Sequence, residues 1–473
     1  MAYRYGNRQQ MGLFPASIED YVPKDAPVRA YDAFIEALDF LELGIKLDED
    51  KVGNPEYDPK AMLKLLLYGY SYGVRSSRKL EREAHYNVSF MWLVGNLRPD
   101  HKTIAEFRRN NKKALKKILK QCVRLCIKLN LIEGNTLFLD GTKIRANASI
   151  KNTWTEEKCE RALKHIDERI AAILAESERI DQEEEGQPSL VAMDEELRNE
   201  EVLKAKVKEI MKELKETKAT SVNTTDPECT RVNSFQGSHA GYNAQLVVDK
   251  KEGLIVSSDV VNENNDLYQF AVQVENAHEV LDKKCKEACA DSGYATTDEL
   301  EKVDKEEIKV IVPSQRQAGE REKNPFDKTH FRYDKERDIY ICPEGKDLRF
   351  YTKQKKARLY RIEDKRTCTQ CRHYGTCTKS RMGRQVVRMH NEEVRERLEK
   401  QYRESSSQAT YRLRQEKAEL PFGHMKRNLG VQAFLLRGLE GARAEMALLT
   451  GSFNLRRMMN ILGVPKLVEI LAG

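Results

Sequence analysis

The chain has no run of about 18 uncharged apolar residues, the length needed to cross a bilayer as a helix. Its opening residues, Met-Ala-Tyr-Arg-Tyr-Gly, lack the basic, apolar and small-residue order of a secretory signal. Both absences argue against export or membrane insertion, so a cytoplasmic setting and no membrane partner are expected. Cysteine is sparse as well. Ten in 473 residues do not make a disulfide scaffold, and six of them (Cys122, Cys126, Cys159, Cys229, Cys285, Cys289) are scattered as ordinary thiols. No fixed-period repeat is present, which argues against a solenoid or propeller. What remains is 40% hydrophobic and 33% charged, a globular composition with room for several domains.

The net charge of +7 is modest but unevenly spread. Lys102 to Lys128 holds ten Lys/Arg against Glu106 alone, and Lys353 to Arg388 holds twelve against Glu363 and Asp364. Basic blocks of this density suit a polyanion, because neutralising phosphates releases counterions.

From Tyr31 to about Leu129 apolar residues recur at helical spacing, as in Leu115, Leu119, Cys122, Cys126 and Leu129. We expect an all-α amino-terminal DNA-binding domain over 1–130, with Gly73 breaking one helix and Asp100 capping another. Between Glu156 and Lys218 two amphipathic stretches (Leu163, Ile166, Ile170, Ile173 and Leu203, Val207, Ile210, Leu214) flank a break from Glu183 to Pro188. They predict a helical hairpin, 151–222, inserted into a catalytic domain built from 131–150, 223–313 and 400–473. Within the latter, Asn243 to Asp249 and Leu254 to Val261 read as strands joined by a turn, Tyr268 to Leu281 as a helix, and Lys284 to Asp291 and Ile308 to Pro313 as further strands. This order implies an α/β domain, a mixed sheet flanked by helices, with its site at strand ends. Residues 314–399 form a basic, cysteine-rich insertion.

Three carboxylates fall where a metal-dependent site needs them. Asp140 closes the apolar strand Leu137-Phe-Leu-Asp140-Gly-Thr-Lys, Asp291 ends Ala288-Cys-Ala-Asp291-Ser-Gly-Tyr294, and Glu419 lies seven residues before Lys426 on one helix face. The glycines after both aspartates are expected to form turns that let a phosphate approach. Phosphodiester chemistry asks for the attacking and leaving oxygens to be neutralised together, which two Mg2+ or Mn2+ ions about 3.5–4 Å apart achieve. Lys426 and Arg427 are placed to grip phosphates beside them. Pro421 and Gly423 predict a kink or a late start in that helix. A second set, Cys342, Cys368, Cys371 and Cys377, has one CxxC pair and glycine-containing turns, with His373 and His390 in reserve. Four thiolates of this kind suit a structural Zn2+ of the ribbon or knuckle type.

Taken together, Asp140-Gly-Thr-Lys, Gly241-Tyr-Asn-Ala-Gln with Val248-Asp249, Ala290-Asp291-Ser-Gly-Tyr294 and Glu419-Leu-Pro-Phe-Gly-His-Met-Lys426 resemble the bacterial insertion-sequence transposases of the DDE type. The resemblance spans most of the chain, with the blocks in the family's order. It implies a ribonuclease-H-like catalytic core and puts the metal-binding carboxylates on Asp140, Asp291 and Glu419. It puts the Tyr-Arg-Glu-Lys signature on Tyr411, Arg414, Glu419 and Lys426. Four residues separate Arg414 from Glu419 where the family pattern has three. A cysteine cluster before the Glu is common among these transposases. The resemblance further implies double-stranded DNA partners, namely terminal inverted repeats and target DNA, nucleoid association, and at least a homodimer when active. The competing readings are a DNA-binding or regulatory protein with an idle fold and a metal-dependent nuclease without strand transfer.

Overall fold

The chain opens with helices α1 (Pro27–Glu36), α2 (Phe40–Leu43), α3 (Pro59–Ser71), α4 (Ser77–Tyr86), α5 (Val88–Leu93), α6 (His101–Asn110) and α7 (Lys112–Lys128). Their starts are set locally. Asp58 caps α3 ahead of Pro59, whose fixed φ suits a first turn, and the Asp100 carboxylate accepts from the Thr103 N–H at 2.7 Å. Strand β1 (Thr136–Arg145) and the short β2 (Thr153–Trp154) follow, then α8 (Glu156–Glu183) and α9 (Leu190–Thr217). Next come β3 (Val222–Asn223), β4 (Thr230–Ser234), β5 (Gly237–Asp249), β6 (Ile255–Val261), α10 (Phe270–Leu281), β7 (Glu287–Cys289), α11 (Thr297–Asp304), β8 (Lys309–Ile311) and α12 (Gln315–Ala318). The last part holds β9 (Arg332–Asp334), β10 (Ile339–Ile341), β11 (Asp347–Gln354), β12 (Ala357–Ile362), α13 (Lys365–Thr369), β13 (Gln385–Met389), α14 (Glu392–Arg403), α15 (Ser405–Gly423), α16 (Leu439–Leu462) and α17 (Val464–Ala472). The computed structural model describes residues 17–45, 47, 56–183, 190–217, 221–234, 237–319 and 323–472, with the backbone alone over 177–183 and 190–194. The break expected after Glu183 lies outside the described residues.

The main sheet runs β4-β5-β1-β7-β8, with β6 beside β4 on the same edge of β5. β5 is antiparallel to β1, β4 and β6, whereas β1, β7 and β8 are mutually parallel. The 13 residues of β5 give β1 a partner along its whole length. Pairing therefore continues past Asp140, which faces Leu246, as far as Arg145 opposite Gly241. On its other edge β1 pairs with β7 only through Phe138. Asp140 thus lies within a strand, two residues beyond the end of its parallel neighbour, and the turn expected at Asp140-Gly141 does not form.

The amino-terminal helices share the sheet's core. One continuous apolar cluster runs from Val22 through α3 and α7 to Leu467. The buried stripe Leu115, Ile118, Leu119, Cys122 and Cys126 of α7 packs toward α16, where Cys126 Sγ lies 3.5 Å from Met458 Sδ. α8 and α9 make a hairpin with its own small core of Cys159, Ile166, Val207, Leu214 and Val222, while Leu203, expected on the apolar stripe, is exposed. β9 to β13 form a separate antiparallel sheet closed over Phe331, Tyr340, Leu348, Tyr360 and Val386. α15 runs through Pro421 to Gly423 and then widens into a π turn, His424–Asn428. A proline leaves one carbonyl without its N–H partner, and a wide turn re-registers the bonds that follow. No helix of the described residues is long and apolar enough to cross a membrane.

Candidate active site

β1, the end of β7 and α15 bring the three sequence-predicted carboxylates to one region. Alternation along β1 points Asp140 and Thr142 to the face covered by α15, and Gly141 and Lys143 to the other. Asp291 follows β7 by two residues and caps the short 3-10 turn Ser292–Tyr294, its Oδ1 accepting from the Gly293 N–H at 2.8 Å. Glu419 is about half exposed near the end of α15.

Arg414, one and a half turns earlier on α15, joins them. Its guanidinium lies 3.6 Å from Asp140 Oδ1 and 3.7 Å from Glu419 Oε1, a cation between two of the three carboxylates. Both separations exceed hydrogen-bond length, and Nε and Nη1 of Arg414 are buried without a hydrogen-bond partner. The Tyr411 ring stands 5.6 Å from this guanidinium and packs edge-on against Tyr402, so Tyr411 backs Arg414 from behind. Burial pushes the Asp140 carboxyl up to about 7, against the pull of Arg414, with Asp291 and Glu419 adding to the rise. Arg414 is itself held above its ordinary value by Asp140 and Asp291, which outweigh its burial.

Lys426 and Arg427 sit on the π turn. Lys426 Nζ donates to Thr142 Oγ1 on β1, and its pKa is lowered by burial while Asp140 pulls it back up. Arg427 is exposed. With Glu419, His424, Arg456 and Arg457 they line an open cleft of about 850 Å³ that begins beside Glu419. Of the three carboxylates, Glu419 lines it.

The opposite face of β1 carries a polar cluster that the sequence did not announce. Asp266, just ahead of α10, accepts on Oδ1 from Asn243 Nδ2 and Gln245 Nε2 of β5, each at 2.7 Å. The Tyr294 hydroxyl donates to Gln245 Oε1, and Lys143 Nζ lies 3.6 Å from Asp266. Gly141 is what makes room: a Cβ there would come 2.5 Å from Gln245 Nε2, 2.7 Å from Asp266 Oδ1 and 3.0 Å from the Tyr294 hydroxyl. The glycine after Asp140 serves space, not a turn. Asp266 looks like one more polar residue in Asn262-Glu-Asn-Asn-Asp266. The available signal was in β5, where Asn243 and Gln245 alternate within an otherwise apolar strand and are fully buried.

The four cysteines of the insertion line one small cavity of about 40 Å³. Backbone N–H groups already point at three of the sulfurs: Lys346 to Cys342 at 3.3 Å, Arg384 to Cys368 at 3.4 Å and His373 to Cys371 at 3.5 Å. Burial raises the Cys377 thiol, Arg384 lowers it, and the three other thiols raise it further. His373 borders this cavity but is turned to Glu344 at 3.1 Å, whereas His390 is 3.3 Å from Asp298 and does not line it. Among the described residues no group of three or more His, Cys, Asp or Glu side chains is drawn together to hold a metal ion as it stands. At the carboxylates, the Arg414 guanidinium lies between Asp140 and Glu419.

Family comparison points to one kind of protein. The family described as a transposase domain matches residues 16–110, and the family described as a transposase DDE domain matches residues 341–459. The second match includes Glu419, Arg414 and the cysteine cluster but stops short of Asp140 and Asp291. No curated protein and no solved structure matches the chain.

Proposed function

The chain belongs to the insertion-sequence transposases of the DDE type, and from that membership we propose that it binds the terminal inverted repeats of its element, cleaves the phosphodiester at each end and joins the freed 3′-hydroxyls to target DNA. The observation that carries this reading is that Asp140 and Glu419, from separate elements, flank one buried guanidinium, with Asp291 near enough to act on both Asp140 and Arg414. The strand arrangement, antiparallel from β6 through β1 and parallel onward to β8, supports a ribonuclease-H-like core.

Hard oxygen donors from three elements fit divalent cations. Asp140, Asp291 and Glu419 would hold two Mg2+ or Mn2+ ions once Arg414 withdraws from between Asp140 and Glu419. Bound there, such ions neutralise the attacking and leaving oxygens together. The chain's own groups do the rest. Lys426 is tied to Thr142 beside Asp140 and with Arg427 grips the DNA backbone in the cleft. Arg414, freed of its carboxylates and backed by Tyr411, gains a phosphate as its new partner. Acting on two ends calls for at least a homodimer on DNA.

Cys342, Cys368, Cys371 and Cys377 of that cavity would hold a structural Zn2+. The N–H groups directed at three sulfurs are the donors a thiolate needs around it. Purified protein is expected to carry about one zinc per chain by elemental analysis, and Cys371→Ser to lose it; metal-free wild type sinks the assignment.

The decisive assay combines labelled terminal-repeat DNA, target plasmid and Mg2+. Joined product is expected from the wild type. Cleavage without joining would leave a nuclease, and a shifted band without cleavage a regulator. Asp140→Asn should abolish cleavage and leave end binding in place.

A further inference from the structure

Lys143 stands three residues after Asp140 on the far face of β1, opposite Asn243 of β5. Its side chain is about a fifth exposed, but its Nζ is covered and has no hydrogen-bond partner within 3.5 Å. The nearest carboxylate, Asp266, is 3.6 Å away, beyond hydrogen-bond length, and Asp291 also acts on it. Asp266 is already committed, because its Oδ1 accepts from both Asn243 and Gln245 and the Tyr294 hydroxyl fixes Gln245 in turn. A covered ammonium with idle donors is costly, and an apolar side chain would fill the same volume without that penalty. The arrangement therefore keeps a positive charge in reserve next to Asp291.

The neighbouring backbone is bare on that side. Gly293 separates the two carboxylates: a Cβ on it would sit 2.8 Å from Asp291 Oδ1 and 3.7 Å from Asp266 Oδ2. Arg414 and Lys426 supply positive charge on the α15 face of β1, by Asp140, and Lys143 is their counterpart on the other face. A DNA phosphate entering among several carboxylates meets repulsion unless cations flank it on both sides.

Resting on the transposase reading, we propose that Lys143 is a further substrate-contacting residue, donating to a non-bridging oxygen of the phosphodiester that is cut. Asp266, fixed by Asn243 and Gln245, is the positioning residue that holds it there.

The test uses the full chain in EDTA and two duplexes ending in the inverted repeat that flanks this gene. They differ only at the cut site, native phosphate in one and neutral methylphosphonate in the other. Lys143→Met is expected to weaken binding about tenfold on the native duplex and hardly at all on the neutral one, the worth of one charge-assisted hydrogen bond. Lys143→Arg should recover most of that loss, and Asp266→Asn should weaken binding on the native duplex alone. The non-additivity of protein and DNA changes reports direct contact, which a purely structural role does not produce. Equal losses on both duplexes, with the wild type binding, would overturn this inference and leave the transposase reading intact. A wild type that binds neither duplex would overturn both. Should Lys143→Met fail to fold by thermal melting, Lys143→Gln carries the same comparison.

Discussion

Arg414 holds its guanidinium 3.6 Å from Asp140 without hydrogen-bonding it, so the buried carboxylate has a counter-charge but little direct solvation. Burial prevails, and the Asp140 carboxyl rises from an ordinary 3.8 to about 7. The folded, metal-free chain keeps this proton to near neutrality, while the unfolded chain releases it in the usual acid range. The stabilisation this gives is complete below about pH 3.8 and is lost as pH rises through 7. Thermal melting in EDTA should therefore show a wild-type decline between about pH 4 and about pH 7, the interval between the two pKa values, that Asp140→Asn flattens. Parallel curves for the two proteins would contradict the assignment.

The same guanidinium stands between Asp140 and Glu419, where a cation bound by both would lie. Replacing it with a neutral side chain removes a competitor for the ions. Arg414→Gln should bind Mn2+ several-fold more tightly than wild type in the absence of DNA, and bind DNA ends less tightly. Calorimetry on the DNA-free protein measures the first effect directly. Weaker Mn2+ binding by the variant would mean that Arg414 organises the carboxylates instead of blocking them.

At Gly141 the fold leaves no space. A methyl group would meet Gln245, Asp266 and Tyr294 at 2.5 to 3.0 Å, all within one hydrogen-bonded cluster that cannot shift piecemeal. Gly141→Ala should cost about 1–3 kcal/mol of stability, the usual range for overpacking, measured by urea unfolding. It should also move Asp266 and thereby disturb Lys143. A variant as stable as wild type would show that the cluster is loosely held.

How much of this was legible beforehand differs from part to part. Asp140 and Asp291 could be singled out because each ends an apolar run, whereas Glu419, on a charged helix, stood out only through its seven-residue offset to Lys426. What the pattern missed was strand length. Asp140-Gly141 has turn chemistry, yet β5 is long enough to carry β1 five residues further, and tertiary pairing overrides a local preference. Asp266 and Lys143 were illegible for a related reason, since their importance arises from tertiary neighbours: Lys143 faces Asn243 a hundred residues on, and Asp266 is fixed by Asn243 and Gln245 more than 20 residues back. The hairpin of α8 and α9 was readable from its own periodicity, because it buries its core against itself. The amino-terminal helices were readable as helices, but their dependence on α16 was not.

That dependence is concentrated at Glu445 on α16, which is fully buried. Its Oε1 accepts from the Tyr70 hydroxyl of α3 at 2.6 Å and lies 3.9 Å from Arg108 of α6, while Oε2 accepts from the Leu435 N–H at 2.6 Å. One carboxylate thus ties two amino-terminal helices to the segment that follows the π turn. Glu445→Ala removes the counter-charge of Arg108, which keeps its bonds to the Tyr70 hydroxyl and the Arg75 carbonyl, and leaves the Leu435 N–H without its acceptor; it should cost about 3–5 kcal/mol, as breaking a buried ion pair from one side does. Because the helices and the sheet share one core, the loss should appear as a lower midpoint of a single transition covering both. By the same logic a fragment of residues 1–130 exposes the α7 stripe from Leu115 to Cys126 and should not fold alone. A separate early transition for the amino-terminal helices in Glu445→Ala, or a cooperatively folded 1–130 fragment, would show that the helices form an independent domain and that Glu445 only fastens it in place.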